Sequence, residues 1–414
     1  DNMPASTVLR NFETELLAIL RLSESTPKLQ QLKILVAGLI INCNSSSNWL
    51  VPVLSTVSKT LNTDYRVAIS QLSSQVPLQQ TVLPLDNEIV LKIEDCTALV
   101  NAHITALEIL TNMCSSQDDE MEQESDDTFS DEMEEGDDGW TDANVTQPLV
   151  LSADLHEAII KFDFLKNIYE DMRPLPENVL DIIRNCPESS DMIKKILKLQ
   201  CRAFLCYSNI VSVLDVEDLK GADDLYLVFK NIGKILLPQE TTVEIDFVEA
   251  ATSAMRSVLL KLASVRYDKL SDLTVGDIEM LVKLGEESQV IGNIIKIMGT
   301  LGVMFANNDN MEMTKIVGSF LICTVETQSE LWLMAEALDA IMDVFAEDST
   351  DLVAFEINLV SKLKLLAPSL KRKLRQERKN QPEHYAIVST VAMNLGRFIN
   401  YKGSRLDMLK KGIP

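Results

Sequence analysis

Apolar residues recur along this chain at spacings of three and four, and most such runs open on a helix N-cap signal. From Asp86 to Met113 the residues Ile89, Ile93, Cys96, Val100, Ile104, Leu107 and Leu110 fall on one stripe, which predicts a long helix. Ser6 opens a run to about Leu22, and Thr26-Pro27, a cap followed by proline at the first helical position, opens another to about Asn42. Shorter helices are expected over Asn48 to Leu61 and Asp64 to Ser73. After Pro148 the pattern resumes over Ser152 to Phe162, Glu177 to Asn185, Ser189 to Leu214, Asp223 to Leu237 and Glu244 to Ser264. No alternating run bounded by hairpin turn signals competes, so the pattern predicts an all-α chain.

The later segments fall into pairs: Thr274 to Glu286 with Ser288 to Asn307, Asn310 to Val325 with Ser329 to Ala346, and Thr350 to Lys379 with Pro382 to Tyr401. Each pair advances by about 40 residues, the period of HEAT-type hairpins, and predicts an α-solenoid of HEAT/armadillo-like repeats. A helical bundle shares much of the pattern and is the alternative. In SELWLMAEALDAIMDVFAEDS, Ser329 to Ser349, the residues Leu333, Ala337, Ala340, Ile341 and Val344 are expected to face inward with Asp339 beside them. The pair Gly299 and Gly302 lacks the Lys-Ser or Lys-Thr of a phosphate loop and reads as a site of close helix packing.

One segment breaks the pattern. Between Lys92 and Lys161 there is no lysine or arginine, and fourteen Asp or Glu lie between Asp118 and Asp142. With so few aliphatic residues, this stretch cannot offset the entropy of ordering itself, which predicts a disordered acidic loop over 116–148. It separates helical repeats over 1–115 from HEAT-like repeats with a basic C-terminal hairpin over 149–414. Its carboxylates, Asp118, Asp119, Glu120, Glu122, Glu124, Asp126, Asp127, Asp131, Glu132, Glu134, Glu135, Asp137 and Asp138, are the candidate binding groups for a basic cargo. Trp140 is a candidate apolar anchor beside them, with Met121, Phe129 and Met133 as further points of attachment. A solubilising linker is the plainer reading of the same residues.

The net charge of −24 argues against general binding to nucleic acid or anionic membrane, since neutralising phosphates needs excess Lys and Arg. Residues 361–414 hold thirteen basic against three acidic side chains, so the body of the chain is acidic and one end basic. The longest notable apolar stretch, Ile34 to Ile41, is far short of the ~20 residues that span a bilayer. Seven cysteines without regular spacing read as reduced, buried thiols of an intracellular protein. The start at Asp1 reads as a fragment or processed form.

Nothing in the residues assembles a catalytic or metal constellation, and no cofactor is expected. His103, His156 and His384 are far apart, Cys201 and Cys206 have the wrong spacing for a redox pair, and no nucleophile elbow appears. An enzyme is not expected. The basic run Lys371 to Lys379 reads equally as a nuclear-import or anion-binding patch and as a solvated helix end. In the last helix Leu395 and Phe398 are expected in the core, with Asn394 and Arg397 open.

The solenoid pattern, the acidic insert between helices, the SELWLMAEALDAIMDVFAED helix, and the ending LAPSLKRKLRQERK then VSTVAMNLGRFINYK together resemble the symportin family, also called HEAT repeat-containing protein 3. The resemblance implies a ribosome-biogenesis chaperone and nuclear-import adaptor in cytoplasm and nucleus. Its partners would be the 5S-rRNA-associated large-subunit ribosomal proteins five and eleven. It further implies that the HEAT-type portion, which this chain looks like, and its acidic loop serve the second of them. An importin contact would lie in a region absent from this chain, which has no Pro-Tyr dipeptide. A HEAT-type scaffold or regulatory subunit for another complex is the alternative.

Overall fold

The structure is a computed structural model that describes residues 12–43, 49–76, 86–115, 151–236, 244–285, 290–377 and 382–411. These residues are helical almost throughout, and the fold is all-α, of the α-solenoid repeat kind. They fall into two compact units: Asp1–Glu170 with Leu175–Leu199, and Asp171–Pro174 with Gln200–Pro414. The candidate binding groups Asp118 to Asp138 and Trp140 lie outside the described residues.

In the first unit α1 (Glu13–Arg21) precedes α2 (Pro27–Cys43), α3 (Leu50–Leu61), α4 (Tyr65–Ser73) and α5 (Asn87–Cys114). The Thr26-Pro27 start behaves as its residue types dictate, with Leu29 N donating to Thr26 Oγ1 at 3.3 Å. Asp64 caps α4 by accepting from Val67 N at 3.0 Å, and Asp86 opens α5 by accepting from Glu88 N at 3.2 Å. Helix α5 buries the predicted stripe from Ile93 to Leu110, while Ile89 is only half-buried. His103 on this helix is buried, lies within 2.9 Å of Thr63 O through Nε2, and meets the Tyr65 ring edge-on at 4.9 Å. It is a core residue tying α5 to the turn before α4.

Beyond residue 150 come α6 (Ala153–Lys161), α7 (Phe164–Met172), α8 (Glu177–Arg184) and α9 (Ser190–Val213), and the division between units falls within α9. Helix α7 was absent from the sequence expectation. Asp163, at φ 48°, breaks the chain between α6 and α7, a conformation that Asp tolerates better than most residues.

The second unit continues with α10 (Ala222–Leu236), α11 (Ile245–Ser264), α12 (Val275–Leu284), α13 (Ile291–Asn307), α14 (Met311–Thr327) and α15 (Leu331–Val344). Thr274 and Asp277 form a reciprocal capping box at the start of α12, and Asn310 caps α14 through Met313 N at 3.2 Å. The repeat is visible in register. On α13, Gly292 lies against the Trp332 ring of α15, Lys296 against Glu336, Gly299 against Ala340, and Gly302 against Val344, so each residue meets a partner about 40 positions on. Between α11 and α13 the same offset recurs, as Asn293 Nδ2 donates to Thr252 Oγ1 at 3.2 Å. Helices α11, α13 and α15 therefore run side by side in the same direction. The glycines make the approach possible: a Cβ at Gly299 would meet Ala340 Cβ at 2.9 Å, and one at Gly302 would meet Val344 Cγ2 at 2.6 Å.

The unit closes with α16 (Asp351–Glu356), α17 (Leu359–Glu377) and α18 (Pro382–Lys410). The sequence predicted one helix over Thr350 to Lys379. The structure breaks it at Ile357 and Asn358, the latter at φ 56°. Helix α18 runs past Tyr401 to Lys410 because its final turns are tied down. Lys402, fully buried, donates to Asp351 Oδ1 at 2.6 Å and to Glu347 O at 2.6 Å. Arg405 reaches Asp351 and Asp348, and Tyr401 Oη donates to Asp348 at 2.6 Å.

Candidate functional site

Between α11, α13 and α15 lies a groove with a volume of about 720 Å³, within the ~300–1,000 Å³ typical of ligand sites. Its floor is α13, where Val303 is half-buried and Ile295, Gly299 and Met304 lie buried beneath, and its walls are α11 and α15. Because the three helices are parallel and offset by one repeat, equivalent positions line up across the groove. Arg256 on α11, Lys296 on α13 and Glu336 on α15 form one such row, and Leu260, Thr300 and Ala340 form the next.

The α15 wall is acidic. Glu336, Asp339 and Asp343 fall at i, i+3 and i+7, a spacing that stacks three carboxylates on one helix face. Glu336 pairs with Lys296 at 3.4 Å. Among the described residues, Asp339 and Asp343 make no hydrogen bond or ion pair. Burial against the groove wall, with the Glu336 charge adding to it, holds the Asp339 carboxyl above its ordinary range. Burial and the neighbouring Asp339 do the same to Asp343. Both side chains are nonetheless open to solvent at the groove mouth, so an incoming group can reach them. On the α11 side stand Arg256 and Arg266, also without ion-pair partners among the described residues.

The expected inward face of α15 is largely found, with Leu333, Ala337, Ile341 and Val344 buried. Ala340 is half-buried, since it forms part of the groove wall opposite Gly299. Leu395 is in the core as expected, whereas Phe398 is only half-buried, and Asn394 and Arg397 do not line the groove. Within the basic run, Lys373 donates to Gln328 O and Ser329 O at 3.4 and 3.2 Å, where α14 ends, so that cation stabilises a helix C-terminus. Lys371, Arg372 and Arg375 are exposed, and Arg378 and Lys379 lie outside the described residues. The expectation of buried thiols needs two corrections: Cys323 is exposed on α14, and Cys201 is half-buried. No helix among the described residues is long and apolar enough to cross a membrane, and no group of three metal-ligating side chains occurs among them.

The family model described as SYO1-like, TPR repeats matches residues 153–406, which include every residue of this groove. The chain belongs to the SYO1-like repeat family, the symportins. It is also 32% identical over 330 residues to HEAT repeat-containing protein 3 of Homo sapiens and 31% identical to that of Mus musculus, over 77% of this chain in each case. The chain spans about half the length of these curated relatives, 48% in each. Symportin repeats of this kind form a fold typical of non-enzymatic scaffolds. The groove itself was not singled out in the sequence, although the 40-residue offset that aligns Arg256, Lys296 and Glu336 was the signal that could have found it.

Proposed function

We propose that this symportin chain chaperones basic ribosomal proteins, those of the large subunit that associate with 5S rRNA, and accompanies them between cytoplasm and nucleus. The observation that carries the reading is the pair of carboxylates on α15, Asp339 and Asp343, which face an open groove and make no ion pair among the described residues. Carboxylates crowded on one helix face gain from a guest that brings Lys or Arg. Membership of the family and the net charge of −24 support the same reading. Surfaces that bind rRNA are rich in Lys and Arg, and an acidic protein shields them until rRNA displaces it.

The carboxylates from Asp118 to Asp138 and the Trp140 ring are proposed as a second contact for the same cargo. Purified chain and the 5S-associated ribosomal proteins five and eleven, mixed and resolved by size-exclusion chromatography, test the proposal. Co-elution of either that weakens as salt is raised is the expected result. Absence of any complex with both proteins at low salt would remove the reading.

A further inference from the structure

Across the groove one repeat position changes sign. Arg256, Lys296 and Glu336 occupy equivalent turns of α11, α13 and α15, and the last two neutralise one another at 3.4 Å. That leaves Arg256 and Arg266 on one wall and Asp339 and Asp343 on the other, none of them ion-paired among the described residues. A guest bearing only Lys and Arg would satisfy the α15 wall and press cations towards the α11 wall. Opposed charges on two walls ask for opposed charges on two sides of the occupant, and like-charge contacts reject the alternatives.

We propose, resting on the reading above, that the groove docks a charge-split amphipathic helix of the cargo, with Lys or Arg towards α15 and Asp or Glu towards Arg256 and Arg266. The volume of about 720 Å³ suits the side chains of one segment rather than a folded domain, and exposed Leu260 with half-buried Val303 receives the helix's apolar side. The two charged walls also fix the direction in which the helix faces, since turning it about its axis places each charge against its like.

Fluorescence anisotropy on the full chain tests this with two labelled synthetic helices of equal length, one charge-split and one uniformly basic. Wild type is expected to bind the charge-split helix more tightly. The double substitution Asp339→Asn with Asp343→Asn should weaken both peptides, by roughly three- to tenfold. Arg256→Gln with Arg266→Gln should weaken the charge-split helix and tighten the uniformly basic one, a crossing of affinities that general loss of structure does not produce. Equal or tighter binding of the uniformly basic peptide by wild type would overturn the inference, as would arginine substitutions that move both peptides in the same direction. A basic ribosomal protein titrated in parallel separates the two claims. If it binds while the charge-split peptide shows no preference, only the docking geometry fails; if it does not bind, the chaperone reading fails with it.

Discussion

Gly302 and Gly396 both sit inside helices of the second unit, yet their surroundings predict opposite responses to alanine. A Cβ at Gly302 would come within 2.6 Å of Val344 and 2.8 Å of Val317, whereas nothing lies within 4 Å of the Cβ position at Gly396. Alanine gains about 1 kcal/mol of helix propensity over glycine, but overpacking a close helix contact costs about 1–3 kcal/mol. Gly302→Ala should therefore lower stability on balance, and Gly396→Ala should raise it by about 0.5–1 kcal/mol, as read from urea midpoints. The groove carboxylates make a second contrast. Asp339 and Asp343 are held above their ordinary carboxyl range, so over the window between the unfolded and folded values the folded chain binds more protons than the unfolded one. Their contribution thus favours folding as pH falls towards the acid range and opposes it at neutral pH. Asp339→Asn and Asp343→Asn should each stabilise the protein at neutral pH, by roughly 0.5 kcal/mol after allowing for solvent screening, while weakening cargo binding. A variant that loses both stability and binding would show instead that the carboxylate is a structural group. Thiol reactivity gives a simpler check. Burial pushes Cys114 up to about 12 and Cys96 to about 11, so in the native protein at mildly alkaline pH the exposed Cys323 should be alkylated well before either.

The final helix shows how an element is held in place by a few buried groups. Lys402 and Asp351 are almost wholly removed from solvent and 2.6 Å apart, and Arg405 supplies Asp351 with a second cation at 3.2 Å. Removing Lys402 leaves the buried Asp351 with Arg405 as its remaining cation, a loss below the roughly 3–5 kcal/mol of a fully unpaired buried charge, whereas replacing both with apolar groups is milder still. Lys402→Ala should accelerate amide hydrogen exchange throughout the later turns of α18, and Lys402→Met combined with Asp351→Ala should recover much of the protection. The helices themselves were legible because capping residues and stripe periodicity coincide, as at Thr26-Pro27, Asp64, Asp86 and Asn310. The break at Asn358 was not, because it depends on one Asx residue entering the left-handed region while the apolar pattern runs on past it. Lys402 reads in the sequence as one more cation in a basic tail, since only the fold brings Asp351 to it. The groove escaped for a related reason: Arg256, Lys296 and Glu336 look like solvated helix positions until three repeats are placed side by side.

At the scale of the whole molecule, charge does two separable things. The excess of acids over bases is long-range only within the screening distance, ~8 Å at physiological ionic strength, so it acts mainly on encounter with a basic partner. The groove acts after encounter, because desolvated carboxylates at a seated interface govern how slowly the partner leaves. Substituting Glu132, Glu134, Glu135, Asp137 and Asp138 by their amides removes five charges remote in sequence from the groove helices. If those residues contact cargo by attraction at a distance, the substitution should slow association and flatten its salt dependence while leaving dissociation nearly unchanged. The Asp339→Asn and Asp343→Asn pair should do the reverse and speed dissociation, with association close to wild type. Stopped-flow binding of a basic ribosomal protein at several salt concentrations measures both rates. If the amide variants of residues 132–138 leave the association rate and its salt slope untouched, the acidic segment is a linker. The groove would then carry the recognition of the cargo without it.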